Sequence, residues 1–586
     1  MEQLRQHFDS VVVADFEFRQ DEGYRPAPSA LCWRDLLTGA EGRVRREKLA
    51  TMAGPPFPVH RRSLFVAHYS VAELSCFETL GWPHPANVVD TWCEEKVRRF
   101  GKPSPYGFGL LDCMAAYGLP QRSSTEKSAM QQLGASGGPT SEEQWGPFLA
   151  YCAADVDDCA ALLLAMLPEL DLPRAIHRGR YMSAVASMEA VGFPMDLETL
   201  AHLRERWPAI QGGLMANAHR VYGCYPDGHF SMAAFERWLV ANRIPWPRLL
   251  SGDLDLSSDA FRQQAKAHSA VALLRETRDT LGKTRLFADL PIGPDGRCRT
   301  SLRPFASKTS RNQPSNARYP FGTFRGLRSL MKPAPGFGIA YLDFSSQEFL
   351  VAAALSGDEK MLDAYASGDV YLAFAKQAGA VPADATKRSH PAERALFKAC
   401  VLAVQYGMEA ESLAARTGTD VATARDLLRL HRTTYRDFWA WSDNVVDTAV
   451  LAGEYRTVYG WPLHVPGSDH NGHPLVNARS VRNFPVQANA AEILRVACVR
   501  LVGAGVRVCG PVHDAVLLEA PLDELDDVIA KSQQIMRRAS AVVLAGPECR
   551  VDAAVFRHPD CFVDEAGWDF WQTLLRLAGP VSVSNP

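Results

Sequence analysis

Residues 338–348 read GIAYLDFSSQE, and this stretch predicts the architecture of the second half of the chain. Its first seven residues are apolar except for one acid, which favours a buried β-strand that delivers Asp343 at its end. Strand-like runs at 506–508 and 512–519 flank long helical stretches. This pattern is typical of an α+β core with an inserted helical lobe.

A second acid follows near the carboxyl end of the chain. Cys509-Gly510-Pro511 precedes the run VHDAVLLE at residues 512–519. We expect this run to form a hairpin that carries Asp514 near its start. Taken alone, a His-Asp pair in a hairpin is more often structural than catalytic.

Between these two acids lies a predicted helix with a polar stripe. Arg394, Lys398, Leu402 and Tyr406 follow one another at four-residue steps in a segment rich in Ala, Leu, Val and Phe. Side chains four apart drift by only about 40° around a helix, so all four lie on one face. An apolar helix that presents Arg, Lys and Tyr together favours an anionic ligand. The alternative is an ordinary solvated face.

The first half of the chain carries its own carboxylates. The apolar run Val11–Phe18 predicts a strand on which Asp15 and Glu17 share one face, and residues 64–67 predict a second strand. After a predicted loop at 134–141, residues 142–167 predict a helix on which Tyr151 and Asp155 share a face. Adjacent acids repel each other unless a cation joins them, so metal binding is one hypothesis for this region.

Composition restricts the class of protein. A chain of 586 residues, 47% hydrophobic and 22% charged, indicates two or three globular domains. Thirteen cysteines without a Cys-x-x-Cys pair argue against a disulfide framework and a structural zinc site. No apolar run is long enough for a membrane span or a signal sequence, so we expect a cytoplasmic protein without membrane contact.

The net charge of −3 excludes a uniformly basic surface for nucleic acid. One segment, Gly296–Lys332, has no acid but nine cations, and aromatic residues lie among them. A solvated surface normally mixes both signs, so we expect this segment to bind phosphate. The cations are Arg297, Arg299, Arg303, Lys308, Arg311, Arg318, Arg325, Arg328 and Lys332.

The acids and the stripe together resemble motifs A, B and C of the family A DNA polymerases. Asp343 with Glu348 resembles motif A, residues 394–407 resemble motif B at full spacing, and His513-Asp514 resembles motif C. Segments at 188–196, 309–311, 457–462 and 479–487 resemble the same family. The chain departs from the family at Leu402, where many members have an aromatic residue, and at Ala515, where a second acid is common.

This resemblance implies template-directed addition of deoxynucleotides to a primer 3′ end. Two Mg²⁺ ions, or Mn²⁺ in their place, lie about 3.5–4 Å apart in such sites. By resemblance, Asp343 and Asp514 are their ligands, with the backbone carbonyl of Phe344 as a further one. Arg394 and Lys398 hold the triphosphate, and Lys398 protonates the departing pyrophosphate.

The remaining implied roles concern selectivity and DNA. By resemblance, Tyr406 stacks on the templating pair and Glu348 fills the space of a ribose 2′-hydroxyl, while Leu402 completes the nucleotide site. Minor-groove contacts to primer-template sense correct pairing without reading sequence. The residues implied in DNA binding are Arg311, Arg479, Asn483, Gln487 and His513.

The acids of the first half resemble the Asp-Glu-Asp-Asp 3′→5′ exonucleases of the tyrosine subtype. Asp15 and Glu17 match the first motif, and Tyr151 with Asp155 matches the third. Glu73 stands where many such domains have Asp. The resemblance implies that Asp15, Glu17, Glu73 and Asp155 hold two metal ions, and that Tyr151 positions the attacking water. Asp90 follows at the usual distance and is expected to be structural.

The predicted fold is therefore multidomain, α/β followed by α+β. A ribonuclease H-like exonuclease domain occupies residues 1–172, a linker and helical thumb 173–289, and palm with fingers 290–586, the fingers at about 355–475. We expect a monomer that binds primer-template DNA, deoxynucleotides and a processivity factor or other replication proteins. Two alternatives remain open: a 3′→5′ exonuclease whose second half only clamps DNA, and a non-catalytic replication scaffold.

Overall fold

The computed structural model describes residues 1–122, 124–282, 290–322, 325–405, 407–465 and 477–580. A five-stranded sheet lies near the amino terminus and a four-stranded sheet in the second half, with two short strand pairs elsewhere. All thirteen cysteines are free, as the lack of a pairing pattern predicts. Within the described ranges, every helix is too short or too polar to traverse a lipid bilayer.

The N-terminal sheet is built around one buried strand. Its members are β1 (Ser10–Arg19), β2 (Ala27–Asp35), β3 (Glu41–Arg45), β4 (Ser63–Ala67) and β5 (Val88–Asp90). The order is β3-β2-β1-β4-β5, in which β1 to β3 are antiparallel neighbours and β4 and β5 run parallel to β1. Residues 10–14 are all buried, as expected of a central strand covered on both faces. The strands predicted at Val11–Phe18 and 64–67 are thus confirmed.

Seven helices cover this sheet. They are α1 (Glu2–Arg5), α2 (Arg46–Leu49), α3 (Val71–Leu80), α4 (Thr91–Arg99), α5 (Leu110–Ala116), α6 (Ser124–Ala135) and α7 (Glu142–Met166). The helix predicted at 142–167 is α7, and its start is fixed by a capping box between Ser141 and Gln144. The predicted loop at 134–141 was wrong by two residues, because α6 continues to Ala135.

A helical region connects the two sheets. It contains α8 (Leu172–Val191), α9 (Leu197–Glu205), α10 (Trp207–Tyr222), α11 (Met232–Ala241), α12 (Ser258–Ala267) and α13 (Ala272–Leu281), followed by the strand pair β6 (Phe193–Pro194) and β7 (Arg297–Cys298). Helix α8 packs directly on β5: a Cβ on Gly179 would lie 1.9 Å from the carbonyl oxygen of Val88. Short 3-10 helices occur at Leu167–Glu169, Pro226–Gly228, Ser269–Val271 and Arg325–Leu330.

The C-terminal sheet is antiparallel throughout. Its strands are β8 (Phe337–Phe344), β11 (Arg507–Val512), β12 (Ala515–Pro521) and β13 (Val551–Arg557), while β9 (Glu454–Arg456) and β10 (Pro462–His464) form a separate hairpin. The order is β11-β12-β8-β13, so that β8 has a partner on each side. The strand predicted at Gly338–Phe344 is β8, and its burial alternates little because helices cover the sheet.

The turn of the β11–β12 hairpin lies at His513-Asp514. Gly510 and Pro511 are residue types that favour turns, but the chain does not reverse there. Gly510 and Pro511 lie inside β11. Since β11 is the edge strand, Pro511 needs no amide hydrogen for a second neighbour. His513 adopts a φ of +56°, so the chain reverses immediately before the acid.

Helices of the second half fall into a lobe inserted between β8 and β11 and a layer behind the sheet. The lobe contains α14 (Gln347–Ser356), α15 (Glu359–Ala366), α16 (Val370–Gln377), α17 (Pro391–Gln405), α18 (Ala410–Thr417), α19 (Val421–Thr434), α20 (Arg436–Ala452) and the start of α21 (Ala478–Gly503). The others are α22 (Leu525–Leu544) and α23 (Glu565–Ala578). Aromatic packing of Phe374 against Phe397, His431 and Tyr435 holds the lobe together. The predicted inserted lobe is confirmed.

Candidate active sites

Two acids distant in sequence converge at the end of β8. The pairing places Ala515 directly opposite Asp343, and the amide of Phe344 donates to the carbonyl oxygen of Asp514 at 3.3 Å. Asp343 and Asp514 both line the same cleft, and the charge of Asp514 contributes to the raised pKa of Asp343. Sequence alone could not show that these acids meet; the β8–β12 register brings them together.

The surroundings of this pair fit a divalent cation. Burial first, and then the charges of Asp514 and Asp552, raise the pKa of Asp343 to about 7, and burial also raises the pKa of Asp514. The Oδ1 atom of Asp343 is buried and has no hydrogen-bond partner among the described residues. Converging carboxylates that repel each other match the all-oxygen coordination that Mg²⁺ prefers.

A cleft of about 750 Å³ opens over these acids, and we call it the acidic cleft. Its lining combines both carboxylates with Arg394 and Leu402 of the α17 stripe and with motif A residues. The lining includes Asp343, Phe344, Glu348, Tyr371, Arg394, Leu402, His513, Asp514 and Asp552.

The stripe on α17 is built as its spacing predicts. The guanidinium of Arg394 is ion-paired with Asp369, and its central carbon lies 5.4 Å from the centre of the Tyr371 ring. Lys398 Nζ lies 5.5 Å from the same ring. Both cations therefore approach Tyr371, and Arg394 and Tyr371 line the acidic cleft. Tyr406, the last member of the predicted stripe, lies outside the described residues.

Of the residues implied in DNA binding, Arg311 and His513 line the acidic cleft, and the others lie on α21. Arg311 forms an ion pair with Glu348 at 3.0 Å, and exposed His513 occupies the hairpin turn. Arg479 pairs with Glu409, while Asn483 and Gln487 are half-buried and follow it on the same face of α21. A second cavity, of about 680 Å³, shares Arg311 and His513 with the acidic cleft.

The basic segment Gly296–Lys332 is less basic in the folded chain than its sequence suggests. Seven of its nine cations form ion pairs with acids, most of them from distant segments. Arg328 binds Asp564 at 2.7 Å and Lys332 binds Asp196 at 3.0 Å. Most of these cations therefore fix the fold, and Arg303 and Lys308 have no ion pair within the described parts of the chain.

In the N-terminal sheet, Asp15 and Glu17 lie side by side on β1. Their carboxylate oxygens and the Cys152 sulfur all lie within 4.8 Å of one another. Glu73 projects from α3 into the same place and is 4% exposed. Its Oε2 atom has no hydrogen-bond partner among the described residues. Burial, followed by the charge of Asp15, raises the pKa of Glu73 well above its usual value.

Helix α7 completes this acidic cluster. Burial and then the charges of Asp155, Glu17 and Asp15 raise the pKa of Tyr151. Arg122 binds Asp155, and its Nε donates to Asp158 at 2.7 Å. Four converging acids, together with the buried Oε2 atom of Glu73 that has no hydrogen-bond partner among the described residues, fit a divalent cation site.

Asp90 has a different role. It accepts hydrogen bonds from the amides of Tyr69, Ser70 and Cys93 and from the Ser70 hydroxyl. It thereby caps α4 and fixes the turn before α3. This is the structural role expected of it.

Comparison with known proteins identifies the second half of the chain. The family model for DNA polymerase family A matches residues 287–555, the range that contains the acidic cleft. We call this part of the chain, which is similar to DNA polymerase family A, the family A region. The family A region therefore includes both acids of the C-terminal sheet and the stripe of α17.

Relatives of the family A region are bacterial and phage polymerases. The thermostable DNA polymerase I of Thermus aquaticus is 27% identical over 378 residues, which are 61% of this chain and 45% of that protein. The DNA polymerase of Mycobacterium phage L5 is 24% identical over 498 residues, 80% of this chain and 78% of its own. The chain thus spans less than half the length of the Thermus enzyme.

A solved structure shares the fold over nearly the whole chain. It is the POL domain of Pol1 from M. smegmatis in complex with DNA primer-template and dNTP, with a TM-score of 0.69 and 19% sequence identity. The match covers 95% of this chain and 96% of the other. The shared fold accordingly extends beyond the residues that the family model matches.

Several residues of the family A region and of the acidic cluster in the N-terminal sheet were not found by sequence reasoning. They are Asp369 and Tyr371, which contact the α17 stripe, Asp552, which faces Asp343, and Arg122 with Asp158, which surround Asp155. Asp369 has a local signal in the sequence, because an acid directly before a helix is typical of an N-terminal cap, and Asp369 caps α16. The others carry no local signal, since their contacts join segments far apart in the chain.

Proposed function

We propose that this protein is a template-directed DNA polymerase that adds deoxynucleotides to a primer 3′ end. The observation that carries this proposal is the convergence of Asp343 and Asp514 in a cleft that Arg394 of α17 also lines. The match of the family A region to the family model and the printed activities of the relatives support it.

In this function Asp343 and Asp514 would hold two Mg²⁺ ions. Such ions, when bound, activate the primer 3′-hydroxyl and stabilise the departing pyrophosphate. Arg394 and Lys398 orient the triphosphate through charge-assisted hydrogen bonds. To do so, Arg394 exchanges its contact with Asp369 for phosphate, and Lys398 donates a proton to the leaving group.

Selectivity and DNA placement follow from the neighbouring residues. We infer that Glu348 excludes a 2′-hydroxyl and that Arg311 holds the Glu348 carboxylate in place through their ion pair. Arg479, Asn483 and Gln487 lie on one face of α21, and His513 lies on the hairpin turn. They would contact the minor groove of primer-template, where acceptors are common to all base pairs.

We further propose that the N-terminal sheet and its helices form a 3′→5′ exonuclease of the ribonuclease H-like type. The order β3-β2-β1-β4-β5 and the acidic cluster of Asp15, Glu17, Glu73 and Asp155 support it. These acids would hold the metal ions that activate water. Tyr151, whose pKa is raised by burial and then by the neighbouring acids, would position that water by donating a hydrogen bond.

Primer extension tests the polymerase. We expect the wild type to extend a primer with Mg²⁺ and deoxynucleotides, and Asp514→Asn to lose about 10³-fold in rate, because metal stabilisation of the transition state contributes several kcal/mol. The control is Asp527→Asn, which removes the same charge from the exposed surface of α22. A wild type that binds DNA without extending it would favour the clamp or the scaffold.

The exonuclease needs a separate assay. Without nucleotides, the wild type should shorten a single-stranded 3′-labelled oligonucleotide, and it should do so faster at a mismatched primer end. Asp15→Asn should abolish shortening but leave extension on matched primers unchanged. Shortening that survives Asp15→Asn would refute the assignment of the acidic cluster.

A further inference from the structure

The C-terminal sheet places a third acid beside Asp343. In the antiparallel register of β13 and β8, Asp552 lies directly opposite Asp343. Side chains at directly opposed positions point to the same face, with Cβ atoms about 4.5–5.5 Å apart. On the other side of Asp343, the same register position is taken by Ala515, which offers no ligand atom. The acids around Asp343 therefore come from the hairpin turn and from β13.

Contacts hold Asp552 toward the acidic cleft. The hydroxyl of Ser345 donates to its Oδ2 atom, and the amide of Ser345 donates to the carbonyl oxygen of Arg550 at 2.9 Å. Asp552 lines the cleft together with Asp343 and Asp514. Its charge also contributes to the raised pKa of Asp343. Since Ser345 occupies Oδ2, the second oxygen of Asp552 is the one available to a cation between the strands.

We propose that Asp552 is a third carboxylate ligand of the divalent metal pair, supplying from β13 the acid that Ala515 does not supply from β12. This inference rests on the proposed polymerase function. It adds one negative charge to the two of Asp343 and Asp514, so that three carboxylates face two divalent cations. A cation bound near Asp343 has Asp552 on one side and Asp514 on the other.

Metal binding without turnover tests the proposal. The complete protein is bound to primer-template whose primer ends in a dideoxynucleotide, with the next deoxynucleotide present, and Mn²⁺ is titrated and followed by electron paramagnetic resonance. We expect Asp552→Asn to raise the Mn²⁺ dissociation constant by about 10- to 100-fold, the range for lost groups around a metal site. Asp552→Glu, which keeps the carboxylate, should stay within a few-fold of the wild type.

The matched control is Asp526→Asn. Asp526 is an exposed acid of α22 that is ion-paired to Arg557, and Arg557 lies on β13, the strand that carries Asp552. Melting temperatures of all variants show that each is folded. An Asp552→Asn affinity equal to that of Asp526→Asn would overturn the proposal while the wild type still extends primers. Failure of the polymerase function itself would appear differently, as a wild type that neither extends primers nor responds in Mn²⁺ affinity to Asp343→Asn.

Discussion

The guanidinium of Arg122 is hydrogen-bonded to the carboxylate of Asp155. It also binds Asp158 and lies 5.9 Å from the centre of the Tyr151 ring. A cation from the protein thus contacts one of the acids proposed to hold metal in the exonuclease. Arginine and metal ions compete for the same carboxylate charge.

Removal of Arg122 should therefore ease metal binding. We expect Arg122→Ala to lower the half-saturating Mg²⁺ concentration of 3′→5′ shortening several-fold, measured by titration of Mg²⁺ in the oligonucleotide assay. The control is Arg34→Ala, because Arg34 pairs with Asp157 on the same helix. A higher Mg²⁺ requirement in Arg122→Ala would mean that Arg122 assists the loaded site instead.

Substitutions of Glu348 should show whether its volume or its charge selects deoxyribose over ribose. Glu348→Ala opens the space beside the sugar, and we expect incorporation of ribonucleotides relative to deoxynucleotides to rise about 10- to 200-fold, as for loss of one packing contact. Glu348→Gln keeps the volume and should stay near the wild type. Competing single-nucleotide insertions measure both ratios. Equal relaxation in both variants would assign selectivity to the ion pair with Arg311.

The buried pair Arg178–Glu94 should stabilise the junction of α8 with α4. The side chains are each 6% exposed and lie 2.6 Å apart. Glu94→Gln leaves a buried guanidinium without its counter-charge, which costs about 3–5 kcal/mol. Urea unfolding measures this difference. As a control, Glu41→Gln breaks an exposed pair with Arg34 and should change the free energy of unfolding by less than about 1 kcal/mol; equal effects would contradict the prediction.

Low pH should destabilise the helical lobe, because His431 is buried there as a neutral imidazole. Burial lowers the pKa of this imidazole to about 3, against about 6.5 in the unfolded chain. The unfolded chain therefore binds the proton first, and the contribution of neutral His431 is complete above about pH 6.5 and is lost as pH falls toward 3. The slope is about 1.4 kcal/mol per pH unit.

The measurement is the free energy of unfolding of the wild type and of two variants at several pH values between 7 and 5. We expect His431→Gln to show a shallower decline than the wild type, and His229→Gln, at an exposed position, to follow the wild type. Parallel curves for the wild type and His431→Gln would exclude His431 as the titrating group.

Local patterns sufficed for much of the fold. The apolar runs of β1 and β8 and the helix α7 with its Ser141 cap are encoded within a few residues, and so is the stripe from Arg394 to Lys398. For such elements periodicity and capping agree with the tertiary environment. The family resemblance then supplied the pairing of Asp343 with Asp514, which no local pattern contains.

Contacts between distant segments could not be predicted from the sequence. The position of Asp552 depends on the register of β13, which pairs with a strand some two hundred residues earlier. The hairpin turns at His513, although Gly510 and Pro511 are residue types that favour turns. These two residues can lie inside β11 because β11 is an edge strand. Similarly, most cations of the basic segment Gly296–Lys332 form ion pairs with acids from distant parts of the chain, which the sequence of the segment does not indicate.

The central place of β8 in its sheet has a consequence for the order of synthesis. Its two neighbours, β12 and β13, are translated long after it, so a growing chain carries Asp343 on an unpaired strand while the helical lobe is being made. Domains near the amino terminus fold first during translation. The nascent protein would accordingly acquire a folded N-terminal sheet early and remain unable to copy DNA until β13 has left the ribosome.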